Sequence, residues 1–228
     1  MLRPFLPLFY LAAASAFGAG LPPVEIPNQV IISVKDQKLM LLQNGARVTT
    51  YPVSTSKYGL GDYWGRMTTP LGCMQVAQKI GDHAPFGAVF HNRRFTGEVL
   101  APNAPGRDPV ITRIIWLRGL EQQNAHAFGR CIYIHGTPEE KTIGRPASYG
   151  CIRMKSKDVT ELYEQLPIGA LVQVVDGRLP NVPKAKNVKM IVAKPEEKPA
   201  DWVSSATKQK PVSTSRKNLL AAQNHPRA

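Results

Sequence analysis

Along the central part of this chain, apolar residues either alternate with polar ones or run unbroken over a few positions. That is the period of strands rather than helices. Val30, Ile31, Ile32 and Val34 form the first such run. Residues 38–42 and 46–51 form two more around Asn44-Gly45, a pair that supplies the positive φ angles of a tight primed turn, so a hairpin is predicted there. Further strands are predicted at 73–76, 110–117, 130–134 and 171–175. A helical period occurs once: Val159, Leu162, Tyr163 and Leu166 share one face. Ser156 is the predicted N-cap of that helix, Asp158 complements the positive end of its dipole, and Pro167-Ile168-Gly169 ends it. Residues 80–107 contain Gly, Pro and Asn and read as a long functional loop or flap. No internal repeat is visible. The pattern predicts a mainly β domain over residues 24–177, with one or more short helices.

The pattern changes at both ends. Arg3 precedes an apolar stretch over residues 5–14, and Ala14-Ser15-Ala16 follows as a small-x-small site. This reads as a signal peptide over 1–19, cleaved near 16–20. The apolar run is shorter than the ~20 residues that span a bilayer, so no transmembrane segment is expected after cleavage. The absence of a cysteine after the run argues against lipoprotein processing. Residues 178–228 carry eleven Lys and Arg against three acids, eight of the thirteen excess positive charges of the chain. Few apolar residues accompany them, so a largely disordered basic tail is expected. It reads equally as a solvated extension or as a loose contact with an anionic surface. An exported chain without a recognition motif is not expected to bind nucleic acid.

The chain has three cysteines, Cys73, Cys131 and Cys151. An odd number in an exported protein leaves at least one thiol free or paired between molecules. Cys73 and Cys131 lie in apolar, strand-like surroundings and read as small buried hydrophobes, with a disulfide between them as the lesser alternative. Cys151 differs, because Ser148-Tyr149-Gly150 precede it in a loop. Sixteen positions upstream, the alternating run Ile132-Tyr133-Ile134 closes on His135-Gly136. An imidazolium beside a thiol lowers its pKa and makes it a nucleophile. Cys151 is thus the candidate nucleophile and His135 the candidate general acid and base. The backbone N–H groups at Tyr149, Gly150 and Cys151 are candidate oxyanion donors. Gly150 permits a turn strained for other residues, and Ser148 reads as a hydroxyl that stabilises the loop. Arg153 has two readings: its planar fork suits a substrate carboxylate, or it ties the loop to the body, the reading preferred here. Tyr63, Trp64, Phe86, Phe90 and Trp116 either wall a cleft or simply pack. His83, His91 and His126 lack metal-ligand spacing, so no metal and no cofactor is implied.

A Cys and a His sixteen positions apart are a weak signal alone. However, His135-Gly136 followed by Ser148-x-Gly150-Cys151-Ile152-Arg153 resembles the active-site signature of the L,D-transpeptidases with a YkuD-type catalytic domain. Pro52-Val53-Ser54-Thr55-Ser56, Thr69-Pro70-Leu71-Gly72 and Gly169-Ala170-x-Val172 also look like family landmarks in the right order. The resemblance spans about residues 30–175 and implies a β-sandwich or barrel-type catalytic domain. It further implies an exported enzyme of the periplasm or cell wall that acts on peptidoglycan stem peptides. Cys151 would carry a thioester that an amine resolves as a 3→3 cross-link, and the carbonyl of Gly136 would orient His135. Tyr149 stands where the family usually has histidine. A hydrolase on the same scaffold, either an L,D-carboxypeptidase or a peptidase that releases wall-linked protein, is the alternative, as is a non-catalytic wall-binding module. The anionic partner of the tail would then be a wall polymer.

Overall fold

The computed structural model of the chain describes residues 28–185; the predicted signal peptide and the tail beyond 185 lie outside the described residues. The described chain is mainly β. Its strands are β1 (Gln29–Ser33), β2 (Lys38–Gln43), β3 (Ala46–Pro52), β4 (Gly72–Ile80), β5 (Ala88–His91), β6 (Arg94–Val99), β7 (Val110–Gly119), β8 (Tyr133–Gly136), β9 (Ile152–Met154) and β10 (Leu171–Val175). One α-helix, α1 (Ser156–Gln165), joins β9 to β10.

These strands form one mixed sheet. Its main path runs β3-β2-β1-β10-β4-β7-β5-β6, and β7 also pairs with β8, which pairs with β9. The β1–β10 and β8–β9 pairs are parallel. Branching at β7 lets the sheet fold around a shared core. Ile32 of β1, Leu41 of β2, Met74 of β4, Ile134 of β8 and Ile152 of β9 meet Val159, Leu162 and Tyr163 of α1 there. Strand β7 is buried without interruption from Ile111 to Leu117, as a central strand covered on both faces must be. Its Ile115 and Leu117 enter the main core, whereas Ile114 and Trp116 join a smaller cluster with Ala88, Phe90 and Tyr133.

Where β7 leaves register with β8, between Ile111 and Ile114, Thr112 adopts φ +71°. A β-branched residue rarely occupies that region. Its hydroxyl offsets the strain by accepting the Gly87 N–H at 3.0 Å and hydrogen-bonding Ser156 Oγ at 2.8 Å. The predicted hairpin is present as β2–β3, with φ +48° at Asn44 and +75° at Gly45.

Three expectations need revision. The 80–107 segment is not an irregular loop, because it holds the β5–β6 hairpin. Strand β6 is a partly exposed edge containing Arg94, Thr96 and Gly97, and so lacks an apolar period. Ser156 does not cap α1 but is its first residue, and the cap position is Lys155, with no side-chain cap bond. The Ser156 N–H instead donates to Glu140 Oε1 at 2.9 Å. Residues 178–185 continue the folded part beyond 177. Arg178 pairs with Asp36 at 3.0 Å, and along the β3 edge the Arg47 N–H donates to the Pro183 carbonyl at 2.9 Å while the Ala185 N–H donates to the Arg47 carbonyl at 2.8 Å. No helix among the described residues is long and apolar enough to cross a membrane.

Candidate active site

Alternation along β8 and β9 separates site from core. Ile132, Ile134, Ile152 and Met154 point into the main core. Tyr133, His135, Cys151 and Arg153 therefore share the opposite face, since side chains alternate along a strand. The parallel register pairs His135 with Arg153, and Cys151 directly precedes the adjacent strand β9. Cys151 Sγ accepts the Tyr133 N–H at 3.4 Å and donates to the Cys131 carbonyl at 3.3 Å. Those two groups, rather than the imidazole, are its hydrogen-bond partners among the described residues. His135 Nδ1 lies 2.7 Å from the Gly136 carbonyl. A carbonyl only accepts, so Nδ1 carries the proton and Nε2 keeps its lone pair.

Burial dominates the charge states. It pushes the Cys151 thiol up to about 11, despite the Tyr133 N–H that favours thiolate. Burial also holds His135 down to about 4, against the raising effects of the Gly136 carbonyl and Asp108. At neutral pH the resting pair is thus thiol and neutral imidazole. The imidazolium expected to activate the thiol is absent from this resting state, because desolvation penalises either ion.

The Cys151 loop is fastened by segments distant in sequence. Ser54 and Arg153 exchange backbone bonds at 2.9 Å each way, and Ala147 and Ser148 both donate to the Thr55 carbonyl at 2.9 Å. Thr69 Oγ1 accepts the Ser56 N–H at 3.0 Å and donates to the Gly150 carbonyl at 2.9 Å. Ser148 Oγ donates to the Cys151 carbonyl at 2.5 Å and accepts the Gly150 N–H at 3.2 Å. Gly150 has φ +122°, and a Cβ there would meet the Thr68 carbonyl at 3.2 Å. Tyr149 is 55% exposed, with its ring 5.8 Å from that of Tyr58 and the Lys57 ammonium 4.6 Å above it.

Arg153 is buried and ion-paired with Asp108, while Nη2 donates to Thr142 Oγ1 at 3.1 Å. Asp108 also accepts the Thr137 hydroxyl. Sequence reasoning missed Asp108, because a single acid in a loop carries no period; a motif arginine awaiting a partner was the only available hint. Of the aromatics singled out, Phe90 and Trp116 join the cluster that includes Tyr133 and borders Cys151, whereas Tyr63 and Trp64 stand exposed on the loop before Thr69. Cys73, Cys131 and Cys151 are all free and half-buried, so no Cys73–Cys131 disulfide is present.

Comparison with known proteins gives the family. The sequence profile of the YkuD family, the L,D-transpeptidase catalytic domain, matches residues 27–174. The chain belongs to that family. YkuD of Bacillus subtilis strain 168, itself named as an L,D-transpeptidase, is 29% identical over 174 residues, covering 75% of this chain and 81% of that one. YbiS of Escherichia coli K12, also named as an L,D-transpeptidase, is 42% identical over 48 residues, which are 21% of this chain and 16% of that one. Among solved structures, the L,D-transpeptidase of Xylanimonas cellulosilytica (residues 123–326) superposes with a TM-score of 0.44 at 19% identity, covering 68% of this chain and 63% of that one. The family match, rather than this superposition, carries the assignment.

Proposed function

We propose that this protein is an exported, cysteine-dependent L,D-transpeptidase of the periplasm or cell wall, working on peptidoglycan stem peptides through a thioester. What supports the reading is a tautomer-fixed His135 on β8 and a free Cys151 directly before the adjacent β9, in a chain of this family. Because both groups rest neutral, His135 Nε2 takes the thiol proton as Sγ attacks the carbonyl between the diamino acid and the terminal D-alanine. The developing oxyanion is met by the N–H groups of Tyr149 and Cys151, since that of Gly150 is used by Ser148. His135 then returns its proton to the departing D-alanine amine. An amine from a second stem attacks the thioester, loses its proton to His135, and leaves a 3→3 cross-link with the thiol restored. Arg153 is a positioning residue here, because its fork is engaged by Asp108 and Thr142. The basic tail supplies loose retention on anionic wall polymers, weakened by salt.

Incubation with tetrapeptide muropeptides tests the reaction. Cross-linked dimers are expected; tripeptide monomers alone would identify a hydrolase on this scaffold. Cys151→Ala should lose the mass adduct that the wild type forms with a carbapenem, and an unchanged adduct would remove Cys151 from the chemistry.

A further inference from the structure

Arg93 occupies the β5–β6 turn, and its side chain lies over the face that carries Cys151. The guanidinium is 4.7 Å above the Trp116 ring, and Nη1 is 3.3 Å from Tyr133 Oη and 3.6 Å from Cys131 Sγ. Tyr133 and Cys131 are also the two residues whose backbone groups hold the Cys151 thiol. Arg93 and the nucleophile therefore flank the same pair of residues.

Arg93 differs in its partners from the arginines that are ion-paired. Arg107, Arg130, Arg153 and Arg178 each pair with a carboxylate. The partners recorded for Arg93 among the described residues are an indole face, a phenol and a thiol, all neutral. A guanidinium stays charged in any protein environment, and an aromatic face satisfies only part of what it loses on leaving water. Such a group, half-buried and with no carboxylate partner among the described residues, is suited to a planar anion that can take two parallel N–H bonds. A stem peptide offers carboxylates of that kind. Arg153, nominated by the sequence, is already committed to Asp108.

We infer that Arg93 is the substrate-carboxylate receptor of this site, gripping a free carboxylate of the donor stem and setting the peptide against Cys151. The inference rests on the proposed function and adds a specificity determinant to it. Donors carrying carboxylates are selected over their carboxamides, and the selection resides in the hairpin turn rather than in the nucleophile loop.

Binding can be measured without turnover on Cys151→Ala, by calorimetry with a tetrapeptide stem and with its fully amidated analogue. Cys151→Ala should prefer the carboxylate form. Adding Arg93→Gln should weaken the carboxylate form roughly tenfold to a hundredfold, leave the amidated form unchanged, and so abolish the preference. Arg93→Lys should restore part of it, since the charge returns without the fork. Equal weakening of both peptides would mean that Arg93 only packs the Trp116 cluster, and an unchanged preference would place the receptor elsewhere; either overturns the inference while leaving the proposed function intact. Failure of Cys151→Ala to bind either peptide would count against the function itself.

Discussion

His135 and Cys151 both rest neutral, and that has consequences for pH. His135 in the folded chain protonates at about 4 rather than its ordinary 6.5. Between those values the unfolded chain takes up a proton that the folded one refuses, so stability falls as pH drops from about 6.5 to about 4. The loss attributable to His135 approaches ~3 kcal/mol. Cys151 acts in the opposite limb, because burial raises its folded pKa from 9.0 to about 11. Above pH 9 the unfolded chain sheds a proton the folded one retains, and stability falls again. Urea titrations across pH should therefore show a plateau from about 6.5 to 9, with the acid limb reduced in His135→Gln; identical limbs in the two proteins would refute this. Asp108→Ala leaves the buried Arg153 guanidinium only the longer contact with Glu139 at 3.9 Å, and should lower unfolding free energy by about 3 kcal/mol. An unaltered thermal midpoint would show that the pair contributes little. Residues at this scale were partly legible: His135, Gly136 and Cys151 are marked by their neighbours in sequence, whereas Asp108 and Arg93 acquire meaning only through partners far along the chain.

At the scale of elements, the β7 bulge and the turn at Gly150 depend on unusual backbone. Thr112→Val keeps the shape but strips the hydroxyl from the Gly87 N–H and Ser156 Oγ. The expected loss is about 2 kcal/mol in urea unfolding, and a loss below a few tenths would mean that water replaces those bonds. Gly150→Ala forces a side chain into φ +122° beside the Thr68 carbonyl. The strain should cost about 1–3 kcal/mol and shift Cys151 relative to His135. Cross-linking kcat should then fall by more than the stability change explains, as a comparison at a temperature well below both midpoints can show. The strands with apolar periods and the α1 face were readable because burial writes its period into sequence. Strand β6 was not, since an edge needs no second apolar face, and β9 was not, because three residues are too few to show a period.

For the whole molecule, the decisive feature is closure of the branched sheet over one core, with the final described residues fastened along β3. Ending the chain after 177 removes the Arg178–Asp36 pair and the bonds to Arg47. Ending it after 185 keeps both. The shorter protein should be less stable by about 1–2 kcal/mol and associate more readily through its bared β3 edge. Equal thermal midpoints would show that residues 178–185 add nothing to the folded domain.

Sequence alone determined the strand-rich class, the α1 face and the β2–β3 turn, and it nominated His135-Gly136 and the Cys151 loop. Each is written in local period or local chemistry, where neighbouring residues carry the information. Only the tertiary structure decided that Arg153 belongs to Asp108, that Arg93 stands over the neighbours of Cys151, and that burial keeps thiol and imidazole uncharged. Those facts depend on which side chains converge after the chain folds and how much water they lose, and no stretch of sequence records either.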